Sequence, residues 1–290
     1  MSKMAEQSSH RIKGWRLRER GQRMMKYSTT LVTLSIFLLG SVGVGFSYEV
    51  TPVLNGGTIV GHVAFTGVPP TPKRFEVKKT PEVCGEERLL TKVEVKDGAL
   101  KGAVLVLEGV EKGKPFEARS FKGTPPNDGE FRYGEGAALN LDVRLQHCNF
   151  GPFTGVVAVD RPVHFINQDI IKHTLHTYVL KGKNATILKT VHNQNLPAHN
   201  EKIHTFTPKK LKHGRVVALT CDRHDFMENW LYVVKTPYFA ISDHEGQFTI
   251  DRIPPGEYKL IAWHPVLGTQ EQDVTIKADG NMAFNIEFAK

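Results

Sequence analysis

Cysteine, histidine and methionine fall within seven residues in the run Cys221-Asp222-Arg223-His224-Asp225-Phe226-Met227, and upstream the stretch FINQDIIKHTLHTYV carries His173 and His176. A thiolate, an imidazole and a thioether hang from one short loop, and a second imidazole comes from elsewhere. Two imidazole nitrogens and a thiolate in a near-trigonal plane, with a weak axial thioether, suit copper in both of its oxidation states. Zinc accepts the cysteine and the histidines but has little use for a thioether, so Asp222 or Asp225 would have to complete a zinc site. Taken singly, each residue has an ordinary use: a C-x2-H arises by chance, Met227 fits a core, and a chain with 13 histidines keeps most of them at the surface. Their combination points to a metal. His173, Cys221, His224 and Met227 are the expected ligands of one mononuclear copper ion, with His176 in reserve. His192, His199, His204 and His213 lack ligand spacing on a shared strand or loop and are read as solvated.

The loop with three of these ligands lies between two apolar runs, RVVALT (215–220) and WLYVV (230–234). Similar runs recur from Tyr48 onward, among them GTIVGHVAF (57–65), GAVLVLEGV (102–110), TGVVAVD (154–160) and HTFT (204–207), broken by Gly, Pro and Asp. Period-2 alternation without an amphipathic helix predicts an all-β chain built of sandwiches. Residues 113–135, rich in Gly, Pro, Lys and Glu, read as a linker. Near the C-terminus, Asp243–Gly246 suits a tight turn, Phe248 and Ile250 point one way, Pro254-Pro255-Gly256 turns the chain, and Tyr258 and Leu260 return on the same face. That pattern predicts a β-hairpin with a core side. The chain then divides into a leader (1–47), the first part of one sandwich (48–112), the linker (113–135), a metal-binding sandwich (136–235) and the second part of the first sandwich (236–290). Three consecutive β units are the alternative.

The formal charge of +8 first suggests nucleic acid, but six of those charges come from residues 1–47, where eight basic residues face only Glu6 and Glu19. The remainder carries +2, too little for a nucleic-acid footprint. After Lys26 an uncharged run centred on Leu31, Val32, Leu34, Ile36, Phe37, Leu38 and Leu39 reaches Tyr48, so an export signal cleaved after Ser47 is expected, or else an uncleaved anchor that holds the protein at a membrane. No twin-arginine pair precedes it, which favours metal loading after export. A periplasmic location follows. Three cysteines leave one over: Cys84 and Cys148, in loop-like surroundings without metal spacing, are the expected oxidised pair, and Cys221 stays free.

FINQDIIKHTLH followed by CDRHDFM resembles the cupredoxins of the amicyanin and plastocyanin type, with the short amicyanin-like C-x2-H-x2-M loop, over about residues 138–235. The C-terminal stretch ISDHEGQFTIDRIPPGEYKLIAWH resembles the carboxypeptidase regulatory-like domains, which are transthyretin-like sandwiches. The mature chain as a whole, from GG-x-I through VCG, C-x-F and PYFAISDHEG, is similar to bacterial methylamine-utilisation or plastocyanin-like proteins. The resemblance implies a Greek-key copper domain in which His173, Cys221, His224 and Met227 take the upstream imidazole, thiolate, second imidazole and axial thioether positions. Three positions depart from the family: Thr174 stands where an Asn usually clamps the ligand loops, Asp222 where a Ser or Thr follows the cysteine, and Asp225 where a Pro follows the second histidine. The resemblance further implies single-electron transfer rather than catalysis, with His224 as the electron port. Arg223, Asp225 and Phe226 would line the docking face for a redox protein such as a c-type cytochrome or a dehydrogenase. A cell-envelope interaction module, with copper in a structural, sensory or storage role, is the alternative.

Overall fold

The computed structural model describes residues 48–122, 130–133, 141–181 and 186–290, in which strand follows strand and the helices are single turns, Pro81–Cys84 and Pro208–Leu211. The expected leader, 1–47, lies outside the described residues, as do parts of the expected linker and the boundary at 136. No helix among the described residues is long and apolar enough to cross a membrane.

Four larger sheets carry the fold. Gly57–Thr66 lies between Gln247–Ile253 and Ala99–Lys101, also pairs in parallel with Asn281–Ala289, and Glu94–Lys96 extends the sheet beyond Ala99–Lys101. Phe239–Ile241, Val104–Glu108, Gly256–His264 and Gly268–Ile276 form the second. Residues from before 109 and after 238 thus build both of these sheets. The third runs Glu201–Thr205, Pro162–Asn167, Leu141–Leu145, Glu130–Tyr133, Arg119–Lys122, and the fourth runs Thr154–Ala158, His224–Val234, Val216–Cys221, His173–Lys181, Thr186–Leu196.

Burial follows the residue pattern. Leu141–Leu145 and Pro162–Asn167 alternate buried and half-buried side chains, as strands with one covered face do. Val104–Glu108 instead has four consecutive buried residues: Val104 and Val106 enter one core, Leu105 and Leu107 the other. Gly256–His264 behaves alike, with Leu260 and Ala262 in one core and Ile261 and Trp263 in the other. The middle of the second sheet is therefore a wall shared by two cores, which is why VLVL and LIAW read as unbroken apolar runs.

Two expectations are corrected. Gln247–Ile253 and Gly256–His264 do not form a hairpin: the first pairs with Gly57–Thr66 and the second with Val104–Glu108 and Gly268–Ile276. Pro254 and Pro255 have no N–H for a ladder, so the chain crosses between sheets there, while Phe248, Ile250 and Leu260 still share one core. The stretch read as linker contains strands Arg119–Lys122 and Glu130–Tyr133. Phe131 in it is fully buried, and the Tyr133 hydroxyl accepts from the Val156 amide at 2.9 Å. A four-residue strand has only two inward positions, too few for a period to register against surrounding Gly and Pro.

His264, 1% exposed, accepts from the Val266 amide through Nδ1 at 3.2 Å, and burial pushes its pKa down to about 4. An unfolded histidine takes its proton near pH 6.5, so the stability owed to the neutral buried ring is complete above that pH and is lost as pH falls toward 4, about 3 kcal/mol in all. Denaturant titrations of the metal-free chain at pH 7 and pH 4 should show this loss, and His264→Asn, which keeps an acceptor without the basic ring, should lose correspondingly less.

Candidate metal centre

Val216–Cys221 turns through Asp222 and Arg223 into His224–Val234, so that Cys221 and His224 pair across a two-residue turn. A register shift between Thr220 and Cys221 marks the end of the ladder, an irregularity of the kind that re-aims side chains beside functional sites. His173 opens the strand that pairs along Val216–Cys221, which brings the upstream imidazole to the thiol. Cys221 Sγ lies 3.9 Å from His173 Nδ1 and 3.7 Å from His224 Nδ1. Met227, three residues beyond His224 on the same strand, is 1% exposed in the same large core; regular alternation over that offset would turn it to the other face, as it turns His176 from His173.

Both rings turn Nδ1 toward the sulfur and Nε2 away from it. His173 Nε2 is 2.9 Å from Asp169 Oδ2, and His224 Nε2 is 3.0 Å from Thr80 Oγ1. An N–H donated outward on Nε2 leaves the Nδ1 lone pair facing the thiol, the arrangement by which outer partners orient metal-binding histidines. Burial alone would raise the Cys221 thiol, but hydrogen bonding with the His173 and His224 rings and from the Thr174 and Arg223 amides outweighs it and brings the pKa down to about 6; a ring that donates to the sulfur in the metal-free chain does so through an Nδ1 proton that a metal would replace. The sulfur is then a thiolate at neutral pH, the form that binds metals. Burial pulls His173 down, yet Asp169 and Cys221 together hold it above its ordinary range. The Thr174 amide donates to Cys221 Sγ at 3.3 Å, a backbone bond that does not depend on the Asn side chain found there in cupredoxins.

The donor set could hold a metal ion, and its thiolate with two imidazoles is compatible with copper. Bonds of about 2.0 Å to nitrogen and about 2.3 Å to sulfur, meeting at a trigonal angle, would place N and S about 3.7 Å apart, against 3.7 and 3.9 Å here. Asp222 and Asp225, which a zinc site would need, are both exposed, and Asp222 is engaged by His176 at 2.7 Å. Among the described residues the other cluster of possible ligand atoms is Cys148, Asp169 and His173, and Cys148 is spent in a disulfide with Cys84 (S–S 2.04 Å), leaving Cys221 the free cysteine.

Other expected residues lie elsewhere. His176 is on the opposite face of its strand from His173, because an offset of three at period 2 reverses the face; its ring is held by Asp222 and by the Tyr178 hydroxyl at 2.8 Å. His199 and His213 are exposed, but His192 and His204 are not solvated as expected. Their ring centroids lie 3.7 Å apart with the planes tilted by 34°, and burial first, then neighbouring charges including Lys210, push their pKa values down to about 3 and about 4. The expected docking face is corrected too. His224 is 2% and Phe226 7% exposed. The segment 73–90 covers them: Phe75 meets Phe226 edge-on at 6.3 Å, and the Arg88 guanidinium stands 5.2 Å above the same ring. Only Asp225 of the expected face is exposed, with Arg223 half-buried.

Sequence reasoning passed over Asp169 and Thr80. Asp169 stands four residues before His173, a spacing visible in NQDIIKH, but its reach to the ring depends on the loop between strands. Burial alone would raise its pKa; the bond to His173 and the Cys148 and His147 amides hold it below the usual carboxylate range. Outer partners of this kind change metal affinity by about 10- to 100-fold, so Asp169→Asn should weaken copper binding by that factor in a chelator competition while leaving the fold intact by circular dichroism.

Residues 213–283 match the family described as polysaccharide lyase family 4, domain II; that family, and not the carboxypeptidase regulatory-like one, is what the C-terminal region matches. No curated protein matches the chain. Among solved structures it is similar to a reduced amicyanin variant (TM-score 0.25, 20% identity, 32% of this chain and 80% of that one). It is also similar to a second amicyanin variant in its Cu(I) form (TM-score 0.25, 18% identity, 33% and 82%) and to a third, reduced, variant (TM-score 0.26, 15% identity, 45% and 98%). The similarity to amicyanin is weak and partial.

Proposed function

We propose that this chain is an exported mononuclear copper protein that passes single electrons between redox partners, and that the third and fourth sheets form its copper domain. The first two sheets, from residues 48–112 and 236–290, would be a second β domain. The observation that carries the reading is the convergence of His173 Nδ1, His224 Nδ1 and the low-pKa Cys221 sulfur.

Bound there, copper supplies reversible one-electron exchange. The protein's own residues do the rest. Asp169 and Thr80 hold the two rings in one orientation, so the site changes little between oxidation states. With every expected ligand at most 4% exposed, water is kept from the centre and no side is open to a substrate, which favours a carrier over an enzyme. The Cys84–Cys148 bond suits an oxidising compartment such as the periplasm. A c-type cytochrome or a dehydrogenase fits as partner. The covered His224 edge favours a second reading, copper storage or a structural role in a cell-envelope module. Loading the full chain with Cu(II) and titrating it with a one-electron reductant separates the two: one copper per chain that cycles reversibly and exchanges electrons with a soluble c-type cytochrome supports the carrier, whereas bound copper that does not cycle rejects it for storage.

A further inference from the structure

Between Gly57–Thr66 and Glu94–Lys96 the chain makes an excursion whose strands, Lys73–Glu76 and Glu87–Leu90, pair with each other in a two-stranded sheet of their own. Its tip, Thr80 to Cys84, sits on the metal centre. The Thr80 hydroxyl, which donates to the Lys79 carbonyl at 2.7 Å, accepts from His224 Nε2, and Cys84 Sγ lies 3.7 Å from the same nitrogen. Arg88 donates to the Cys84 carbonyl at 3.3 Å while its guanidinium covers Phe226. One covalent bond fastens this tip, the Cys84–Cys148 disulfide between residues 64 apart in sequence. The Cys148 amide donates at 2.9 Å to Asp169 Oδ2, the partner of His173. A single S–S bond therefore joins the outer edges of both imidazoles. Cys84 and Cys148 are buried, but Pro81, Glu82, Gly85 and Glu86 are exposed, so fraying of one helical turn brings solvent to the sulfurs.

We propose that the excursion is a redox-latched cap: with the disulfide closed it seals the His224 edge, and reduction by a dithiol releases it. In that exchange a dithiol thiolate attacks one sulfur, the S–S bond breaks, and the dithiol's second thiol displaces the mixed disulfide. Two electrons and two protons pass to Cys84 and Cys148, which become thiols, and the dithiol leaves as its own disulfide. The cap does not depend on copper. Its consequence, that an open cap exposes His224 and Phe226 to an electron-transfer partner, rests on the function proposed above.

Histidine modification by diethyl pyrocarbonate, mapped by mass spectrometry on the metal-free full chain, tests the cap. The oxidised chain is compared with chain reduced by dithiothreitol, freed of reductant under argon and checked by circular dichroism. His224 should react at least tenfold faster after reduction, while His199, exposed already, reacts equally in both. Cys84→Ser/Cys148→Ser should match the reduced chain; should that variant fail to fold, reduction of the folded wild type decides alone. An unchanged His224 rate in the folded reduced chain overturns the proposal, and so does a disulfide that dithiothreitol leaves intact in the folded protein. Opening of His224 in a chain that takes up no copper keeps the cap and removes the copper reading; copper binding with His224 sealed in both states does the reverse.

Discussion

Cys221→Ser is expected to erase the intense visible absorption of the copper-loaded chain and to weaken copper binding by more than about 100-fold, beyond the range typical of an outer partner's loss. The argument rests on charge. Hydrogen bonding with two imidazoles and two backbone amides favours the anionic form of the Cys221 sulfur despite its burial, and a serine hydroxyl in the same surroundings stays neutral. The soft donor disappears, and so does the negative charge that offsets the metal's in a site closed to water. The band expected is thiolate-to-copper charge transfer, which a serine hydroxyl does not supply. Spectra and a chelator competition on wild type and variant measure both effects; a variant that kept its colour would place the metal elsewhere.

Phe131→Ala is expected to destabilise the chain by about 3–5 kcal/mol, the usual cost of removing a fully buried aromatic ring. Phe131 is 0% exposed in the core that also contains Cys221 and Met227. The backbone around it is cut to its shape: Gly151, at φ 121°, would bring a Cβ within 3.1 Å of the ring, and a side chain at Gly155 would run into it. Alanine leaves that space empty. A denaturant titration of the metal-free protein reads the loss, and a change below about 1 kcal/mol would contradict the packing described.

These residues also show what the sequence displays and what it hides. His173, Cys221, His224 and Met227 come from two short runs beside apolar strands, and local runs are legible; strand pairing brings the runs together. Period-2 geometry turns His176 to the other face of its strand from His173. Phe131 was hidden because a four-residue strand has too little alternation to stand out. The covered His224 edge was hidden for another reason: Thr80, Cys84, Phe75 and Arg88 come from more than 130 residues upstream, and nothing in the loop itself records a long-range contact. The crossing at Pro254-Pro255 shows a third limit, since alternation gives the face a strand turns to the core but not the sheet it joins.

X-ray absorption at the metal edge, on full-length protein given equimolar copper and zinc and freed of excess, tests the copper centre most directly. The result expected is copper retained at one per chain, with one sulfur at about 2.3 Å and two nitrogens at about 2.0 Å, distances ordinary for such donors on a first-row ion. Retained zinc with an oxygen in its shell, or copper without a short sulfur, would contradict it.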